Sequence, residues 1–361
     1  MEYSGLFEAL KGMFKRSNIL ALLILSTVSA AFLMIGLRLL FFVTQEPEWP
    51  LINQSPVIRM VDLRPVTSGD LPQYVDVNPG DIIKIVTRDN PPFELRVRSI
   101  HIENRDYACP RTNIELEATG SVYPVLCGME ACNGTGGIVP TRIGPVDISA
   151  EITELLYSQM PMGSSRFSAY EKFRLNGQGR LSIWLRSTGV LGGLKGSFVI
   201  RQPIWTRGKF GNWLHRTSYG MHAAIDVFSS KSGDPEPVLA PLEAMVIGVF
   251  AKNAEPDSPS RIKAIYLKSE PMGTGGETLF FRILHLSEIT VSVGEHVNAG
   301  QVIGLTGHTG FSPLAHEHLH FEIRLSPSLF GGSASDRIED TVPVNPYPYL
   351  LEWWDNSLNH S

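Results

Sequence analysis

The sequence predicts a mainly β protein in three parts: an N-terminal transmembrane helix, a β-rich, sandwich-like exported domain, and a second exported domain of antiparallel β structure. Three observations lead there. Residues Ile19 to Leu37 form a 19-residue run without a charge. Most of the remaining chain consists of short apolar or alternating stretches separated by Gly, Pro and Asn turns. Few segments carry a helical period of 3.6.

The apolar run comes first. At 1.5 Å per residue it spans about 28 Å as a helix, close to a bilayer core of about 30 Å. Arg38 interrupts it, but Leu39 to Val43 are apolar again, and an arginine near a helix end can snorkel. Lys11, Lys15 and Arg16 precede the run, and the next charges past Arg38 are Glu46 and Glu48. This basic bias puts residues 1–18 in the cytoplasm and the rest outside. A cleaved signal peptide would have a shorter apolar region, about 7 to 15 residues, with small residues after it. Here Val28-Ser29-Ala30 lies inside the run. The expectation is an uncleaved, single-pass signal anchor over residues 19–43 in the inner (cytoplasmic) membrane.

Net charge is -5 and the pI about 6.1, which gives no electrostatic footprint for nucleic acid. Cys109, Cys127 and Cys132 all fall in the exported part. They allow one disulfide and one remaining thiol, with every pairing open. They contain no C-x-x-C pair of the kind a structural zinc site uses.

Residues 44–56 read as a linker. Residues 57–202 read as the β-rich exported domain, of unknown role. Tyr74 to Val77 leads into the turn Asn78-Pro-Gly-Asp81. Ile82 to Thr87, Phe93 to Glu103, Arg180 to Arg186 and Gly196 to Arg201 are the expected strands, and Ile152 to Gln159 a short helix. Residues 203–353 form the second block, followed by a tail over 354–361. It holds eight of the ten histidines, which makes it the place to look for chemistry. Its expected strands are Ala244 to Phe250, Ile262 to Lys268, Thr278 to Leu286, Gln301 to Leu305 and His318 to Leu325.

His316-Glu-His-Leu-His-Phe-Glu-Ile-Arg324 is the densest of these. As H-E-x-x-H on a helix, His316 and His320 would bind zinc and Glu317 would be the base. As H-x-H on a strand, His318 and His320 share a face and Glu317 points away. Leu319, Phe321, Ile323 and Leu325 alternate with His318, His320, Glu322 and Arg324, a period of two. Gly307, Gly310 and Pro313 stand where a helix would have to form. The pattern predicts a strand, and Glu317 leaves the mechanism.

Upstream, Gly220-Met-His222-Ala-Ala-Ile-Asp226 places His222 and Asp226 four apart, on one face of either a helix or a strand. Ile225, Val227 and Phe228 favour a strand, with the small Ala224 between the two on the same face. Such a pair alone is common among ordinary histidines. The ordered set is more telling: His222-x-x-x-Asp226, Leu284-His285-Leu286, then His318-x-His320 resembles the M23 family of metallopeptidases, of lysostaphin and LytM type. Pro237-Val-Leu-Ala-Pro241, Val293 to Gly304, Thr306-Gly-His-Thr-Gly310 and Pro343-Val-Asn-Pro346 with Tyr349-Leu350 are similar to the family's frame. The resemblance covers about residues 205 to 351.

The resemblance implies a compact antiparallel β domain with an open groove and a bound Zn2+. It implies zinc ligands at His222, Asp226 and His320 and catalytic histidines at His285 and His318. The notional roles are His318 as general base and His285 as oxyanion stabiliser or proton donor, or the reverse. The implied activity is a membrane-anchored zinc endopeptidase that cuts peptide cross-links of peptidoglycan from the periplasmic, wall-facing side. A D-alanyl–diaminopimelate bond and a glycyl–glycine bridge both remain open. The alternative is a non-enzymatic scaffold or activator of other wall hydrolases; family members of that kind lose ligands or catalytic histidines, and here all five stand. Expected partners are the peptidoglycan peptide, the membrane and regulatory proteins, with no nucleic acid.

There are departures from the family pattern. Ala224 stands where glycine is frequent, and Leu242-Glu-Ala244 replaces a first-strand glycine. Ala251 to Glu277 reads as a long loop beside the groove. His316 is an extra histidine, either a spectator or another ligand. His215, His296 and His308 read as surface histidines.

Overall fold

A computed structural model describes residues 56–64, 67–104, 111–128, 138–158, 173–200, 213, 215–217, 220–228, 235–253, 261–310 and 317–358. The expected anchor over 19–43, Cys109, Cys132 and His316 lie outside these residues. Among the described residues, no helix is long and apolar enough to cross a membrane.

Strands dominate. In the first half, β1 (Ile58–Asp62), β3 (Ile82–Val86), β4 (Phe93–Asn104), β5 (Arg111–Ala118) and β6 (Ser121–Gly128) form a five-stranded sheet in the order β1-β3-β4-β5-β6. A second sheet has the order β2-β9-β8-β7, from β2 (Gln73–Val77), β7 (Thr141–Ile143), β8 (Val146–Thr153) and β9 (Gly179–Leu185). The three strands expected before residue 190 are present within a residue of their predicted ends. The helix expected over Ile152 to Gln159 is shorter, α1 (Glu154–Ser158), because Ile152 and Thr153 finish β8. The Thr153 hydroxyl accepts the Leu156 N–H at 3.0 Å, an N-cap that stops the strand and starts the turn. Cys127 is a buried free thiol in β6.

The strand expected over Gly196 to Arg201 does not form; its described part makes only a bridge from Ile200 to Val238. Its backbone bonds instead go singly to Pro241 and Leu239. Gly196 is pressed against Trp353, where an added Cβ would lie 2.2 Å from the indole nitrogen.

The second half holds β10 (His215–Thr217), β11 (Gly220–His222), β12 (Ile225–Phe228), β13 (Pro237–Leu239), β14 (Ala244–Phe250), β15 (Ala264–Ser269), β16 (Leu279–Leu284), β17 (Glu288–Ile289), β18 (His296–Val297), β19 (Val302–Leu305), β20 (His318–Leu325), β21 (Val342–Val344) and the helix α2 (Tyr347–Leu358). The main sheet runs β12-β20-β16-β15-β14-β18, with β21 also paired to β20. A small sheet, β13-β19-β17, lies off that path, as does the hairpin β10-β11. Residues 251–277 are therefore not one loop: β15 crosses them and pairs with both β14 and β16.

The alternation in β20 decides which face is core. Leu319, Phe321, Ile323 and Leu325 are fully buried, and Phe321 stacks on Phe281 of β16 with centroids 6.0 Å apart. The opposite face carries His318, His320, Glu322 and Arg324.

Residues Pro56–Ser361 form one compact unit, and one apolar cluster runs from Val61 to Trp353. The expected division at 202/203 falls among residues outside the described set. Polar ties join the two halves. Tyr74 and Tyr349 share a hydroxyl contact of 3.0 Å. The Asn345 N–H donates to buried Glu151 at 2.5 Å, and the Trp213 indole N–H donates to the Glu151 carbonyl at 2.6 Å.

Candidate metal centre

His222 closes β11 and Asp226 is the second residue of β12. The single strand expected across them is broken at Ala223-Ala224, because β11 pairs with β10 whereas β12 pairs with β20. The two side chains still meet, with His222 Nε2 3.1 Å from Asp226 Oδ1. Asp226 faces His320 directly in the β12–β20 register. His320 Nδ1 lies 3.5 Å from Asp226 Oδ1 and 2.8 Å from His222 Nε2.

Three donor atoms from three residues thus form a small triangle of a kind that can hold a metal ion. A tetrahedral zinc with bonds of about 2.0–2.1 Å spaces its donors about 3.4 Å apart. The edges of 2.8, 3.1 and 3.5 Å bracket that value. Two imidazoles and one carboxylate are also a donor set that zinc accepts, and three protein donors leave a fourth position for solvent or substrate. The residues present fit the group.

The local potential favours a cation. Burial alone would raise the Asp226 carboxyl; the facing His222 and His320 outweigh it and hold it well below the usual carboxylate range. Burial alone would lower His320, but its hydrogen bonds to Asp226 and Glu322 and the charges behind them raise it to about 9. A position between two carboxylates prefers positive charge, whether a proton or a metal.

A second layer backs the triangle. His320 Nε2 lies 3.0 Å from Glu322 Oε1. Arg324 Nη1 donates to Glu322 Oε2 at 2.8 Å, and Arg282 Nη1 lies 3.1 Å from Oε1. Burial would raise Glu322, but His320, Arg324 and Arg282 together hold it well below the carboxylate range. Arg324 is fixed by the Thr341 hydroxyl and carbonyl, at 2.9 and 2.5 Å.

His285 and His318 stand beside the triangle. The His285 ring is 4.9 Å from the His318 ring and 5.6 Å from the His320 ring, centroid to centroid. His318 opens β20, and its N–H donates to the Gly307 carbonyl at 3.1 Å. His285 follows β16 in the left-handed region, with φ 69°. That backbone region is costly for a residue with a Cβ and clusters at functional sites. Thr309 holds the turn: its hydroxyl donates to the Leu286 carbonyl at 2.9 Å and accepts the Lys263 N–H at 3.0 Å. The Thr309 carbonyl faces His285 Nδ1 at 2.8 Å, which assigns the hydrogen to Nδ1. Burial, and then the nearby His318, push His285 down to about 3.

Glu317 lies away from the triangle, with Oε1 3.7 Å from His308 Nδ1. His308 is therefore half-buried with a carboxylate partner, not a bare surface histidine. His296 pairs with Glu270 at 2.7 Å. The structure thus brings together His222, Asp226, His320, His285 and His318, and leaves Glu317, His296 and His308 outside. Sequence reasoning missed Glu322, Arg282, Arg324 and Thr309. The period of two that put His318 and His320 on one face puts Glu322 there as well.

Residues 220–340 match the model of peptidase family M23. The M23-matching segment contains all five of these residues. Over 67 residues the chain is 45% identical to the glycyl-glycine endopeptidase ALE-1 of Staphylococcus capitis and 45% identical to lysostaphin of Staphylococcus simulans. Those 67 residues are 19% of this chain and 15% and 11% of the relatives, so the likeness spans a small part of each. Among solved structures, the catalytic domain of lysostaphin from Staphylococcus simulans aligns at 26% identity over 40% of this chain and 91% of that one, with a TM-score of 0.28.

Proposed function

We propose that this protein is a zinc endopeptidase, held at the inner membrane by residues 19–43, that hydrolyses peptide cross-links of peptidoglycan. The observation that carries this reading is the donor triangle of His222, Asp226 and His320 with His285 and His318 at its side. The relatives' names support the substrate class, since one of them is a glycyl-glycine endopeptidase.

His222 Nε2, Asp226 Oδ1 and His320 Nδ1 would hold the zinc. When bound, it polarises a carbonyl oxygen and lowers the pKa of a coordinated water to about 7. The chain's own residues then handle the proton. With its Nδ1 hydrogen given to Thr309, His285 offers Nε2 as an acceptor at any pH above about 3. It orients the attacking water. It is poorly suited to donate to an oxyanion, which needs a hydrogen on Nε2. His318 accepts the proton and delivers it to the departing amine. The left-handed turn at His285, clamped by Thr309, keeps the His285 ring in place before substrate arrives.

The test is digestion of purified peptidoglycan by the full chain with and without zinc. Release of cleaved cross-links that requires zinc supports the reading. Bound zinc with no cleavage, under every activating partner tried, would favour a non-enzymatic scaffold.

A further inference from the structure

His320 is held from both sides. Its Nδ1 belongs to the donor triangle, and its Nε2 meets Glu322 Oε1 at 3.0 Å. A neutral imidazole has one N–H and one lone pair. For Nδ1 to give its lone pair to a cation, the hydrogen must sit on Nε2, and an acceptor must be waiting there. Glu322 is that acceptor, and it stands two residues along the same face of β20.

The carboxylate is itself fixed. Arg324 Nη1 takes Oε2 at 2.8 Å, and Arg282 Nη1 lies 3.1 Å from Oε1 and 3.3 Å from Oε2. Arg282 is braced in turn by the Tyr266 hydroxyl at 3.2 Å, with its guanidinium 5.1 Å above that ring. Arg324 is braced by Thr341. Tyr266 of β15 and Thr341 thus fix two guanidiniums that converge on one carboxylate. Both of its oxygens are engaged, and it meets His320 on the nitrogen remote from the triangle. Glu322 is thus placed neither to ligate the metal nor to act as a base.

Charge gives it a second task. Arg282 and Arg324 bring two guanidiniums to the back of a site meant for a cation. The Glu322 carboxylate lies between both of them and His320, and shields the site from that charge.

We propose that Glu322 is a positioning residue: by accepting the Nε2 hydrogen of His320 and shielding it from Arg282 and Arg324, it directs Nδ1 at the metal and sets zinc affinity. This rests on the zinc reading above. Outer partners of metal-bound histidines typically matter 10- to 100-fold in metal affinity.

The experiment compares zinc affinity of the full-length wild type and Glu322→Gln by chelator competition, alongside thermal unfolding of the metal-free proteins. The expected result is one zinc per wild-type chain and about 10- to 100-fold weaker binding in the variant. Adding Arg282→Gln should restore part of that loss. A variant that melts lower but binds zinc as tightly as the wild type would overturn the inference, since Glu322 would then be merely structural. Should Glu322→Gln fail to fold, the zinc-loaded wild type with 15N-labelled histidine decides. A hydrogen on His320 Nε2 supports the inference, and its absence there overturns it. A wild type that binds no zinc would sink the metallopeptidase reading itself, and this inference with it.

Discussion

Asp226 on β12 and His320 on β20 sit directly opposite each other, with Oδ1 and Nδ1 3.5 Å apart. Strand register alone sets this relationship. A one-residue slip of β20 would put Leu319 or Phe321 opposite Asp226 and turn both histidines into the core. The buried row Leu319, Phe321, Ile323 and Leu325 prevents that slip, so the apolar face of the strand positions the polar one.

The triangle predicts which substitutions remove metal. His222→Ala, Asp226→Ala and His320→Ala should each lower zinc binding by more than about 100-fold, because each removes one of three donors. Glu317→Gln should leave zinc content unchanged, since Glu317 faces His308. Metal analysis after dialysis checks both. Loss of zinc in Glu317→Gln together with its retention in His222→Ala would point back to H-E-x-x-H.

The two flanking histidines should behave differently from the ligands. His318→Ala and His285→Ala should keep stoichiometric zinc and lose activity by about 10²- to 10⁴-fold, the range of a positioned acid or base. Peptide cleavage rates on zinc-loaded protein test this. An active His318→Ala protein would remove it from the mechanism.

Much of this was legible in the sequence, and the reason is periodicity. β14 and β20 are sharp alternations bounded by turns, and both appear with the predicted ends. The pairing of His318 with His320 on one face was readable because H-x-H on a strand fixes a shared face. What was not legible depends on partners distant in sequence. β8 alternates Val146, Ile148, Ala150 and Ile152 with polar residues, but its polar face is buried too, with Ser149 and Glu151 held by Asn345 nearly two hundred residues away. The break at Ala223-Ala224 reflects two different pairing partners, which no local pattern encodes. Glu322 looked like one more polar position until Arg282, forty residues away, appeared beside it.

Gly307 should resist substitution. A Cβ there would lie 2.5 Å from the Ser287 nitrogen and 2.9 Å from the His285 carbonyl oxygen, both backbone atoms. Gly307→Ala should therefore push the His285 turn away from Thr309. The expected cost is about 1–3 kcal/mol of stability, read as a lower denaturation midpoint, with reduced cleavage at unchanged zinc content. An alanine variant with full activity would show that the turn tolerates movement.

Stability should depend on pH through Glu151, which is not one of the triangle's donors. Burial pushes its carboxyl up to about 7, against the Asn345 N–H, the Ser182 hydroxyl and Arg180, which pull it down. Its ordinary value is 4.5, so the folded protein holds a proton that the unfolded chain releases. The contribution is fully present below about pH 4.5 and is lost as pH rises through 7, on the order of 3 kcal/mol in all. Glu151→Gln should flatten this dependence between pH 4.5 and 8. Parallel unfolding curves for wild type and variant across that range would refute the assignment.

The most direct test of the central claim is mass spectrometry of peptidoglycan fragments after digestion by the zinc-loaded full chain, with the metal-stripped chain and His320→Ala as controls. The account predicts new peptide termini within the cross-links, produced by the loaded wild type and by neither control. Equal cleavage by His320→Ala, or intact cross-links with one zinc bound per wild-type chain, would contradict it.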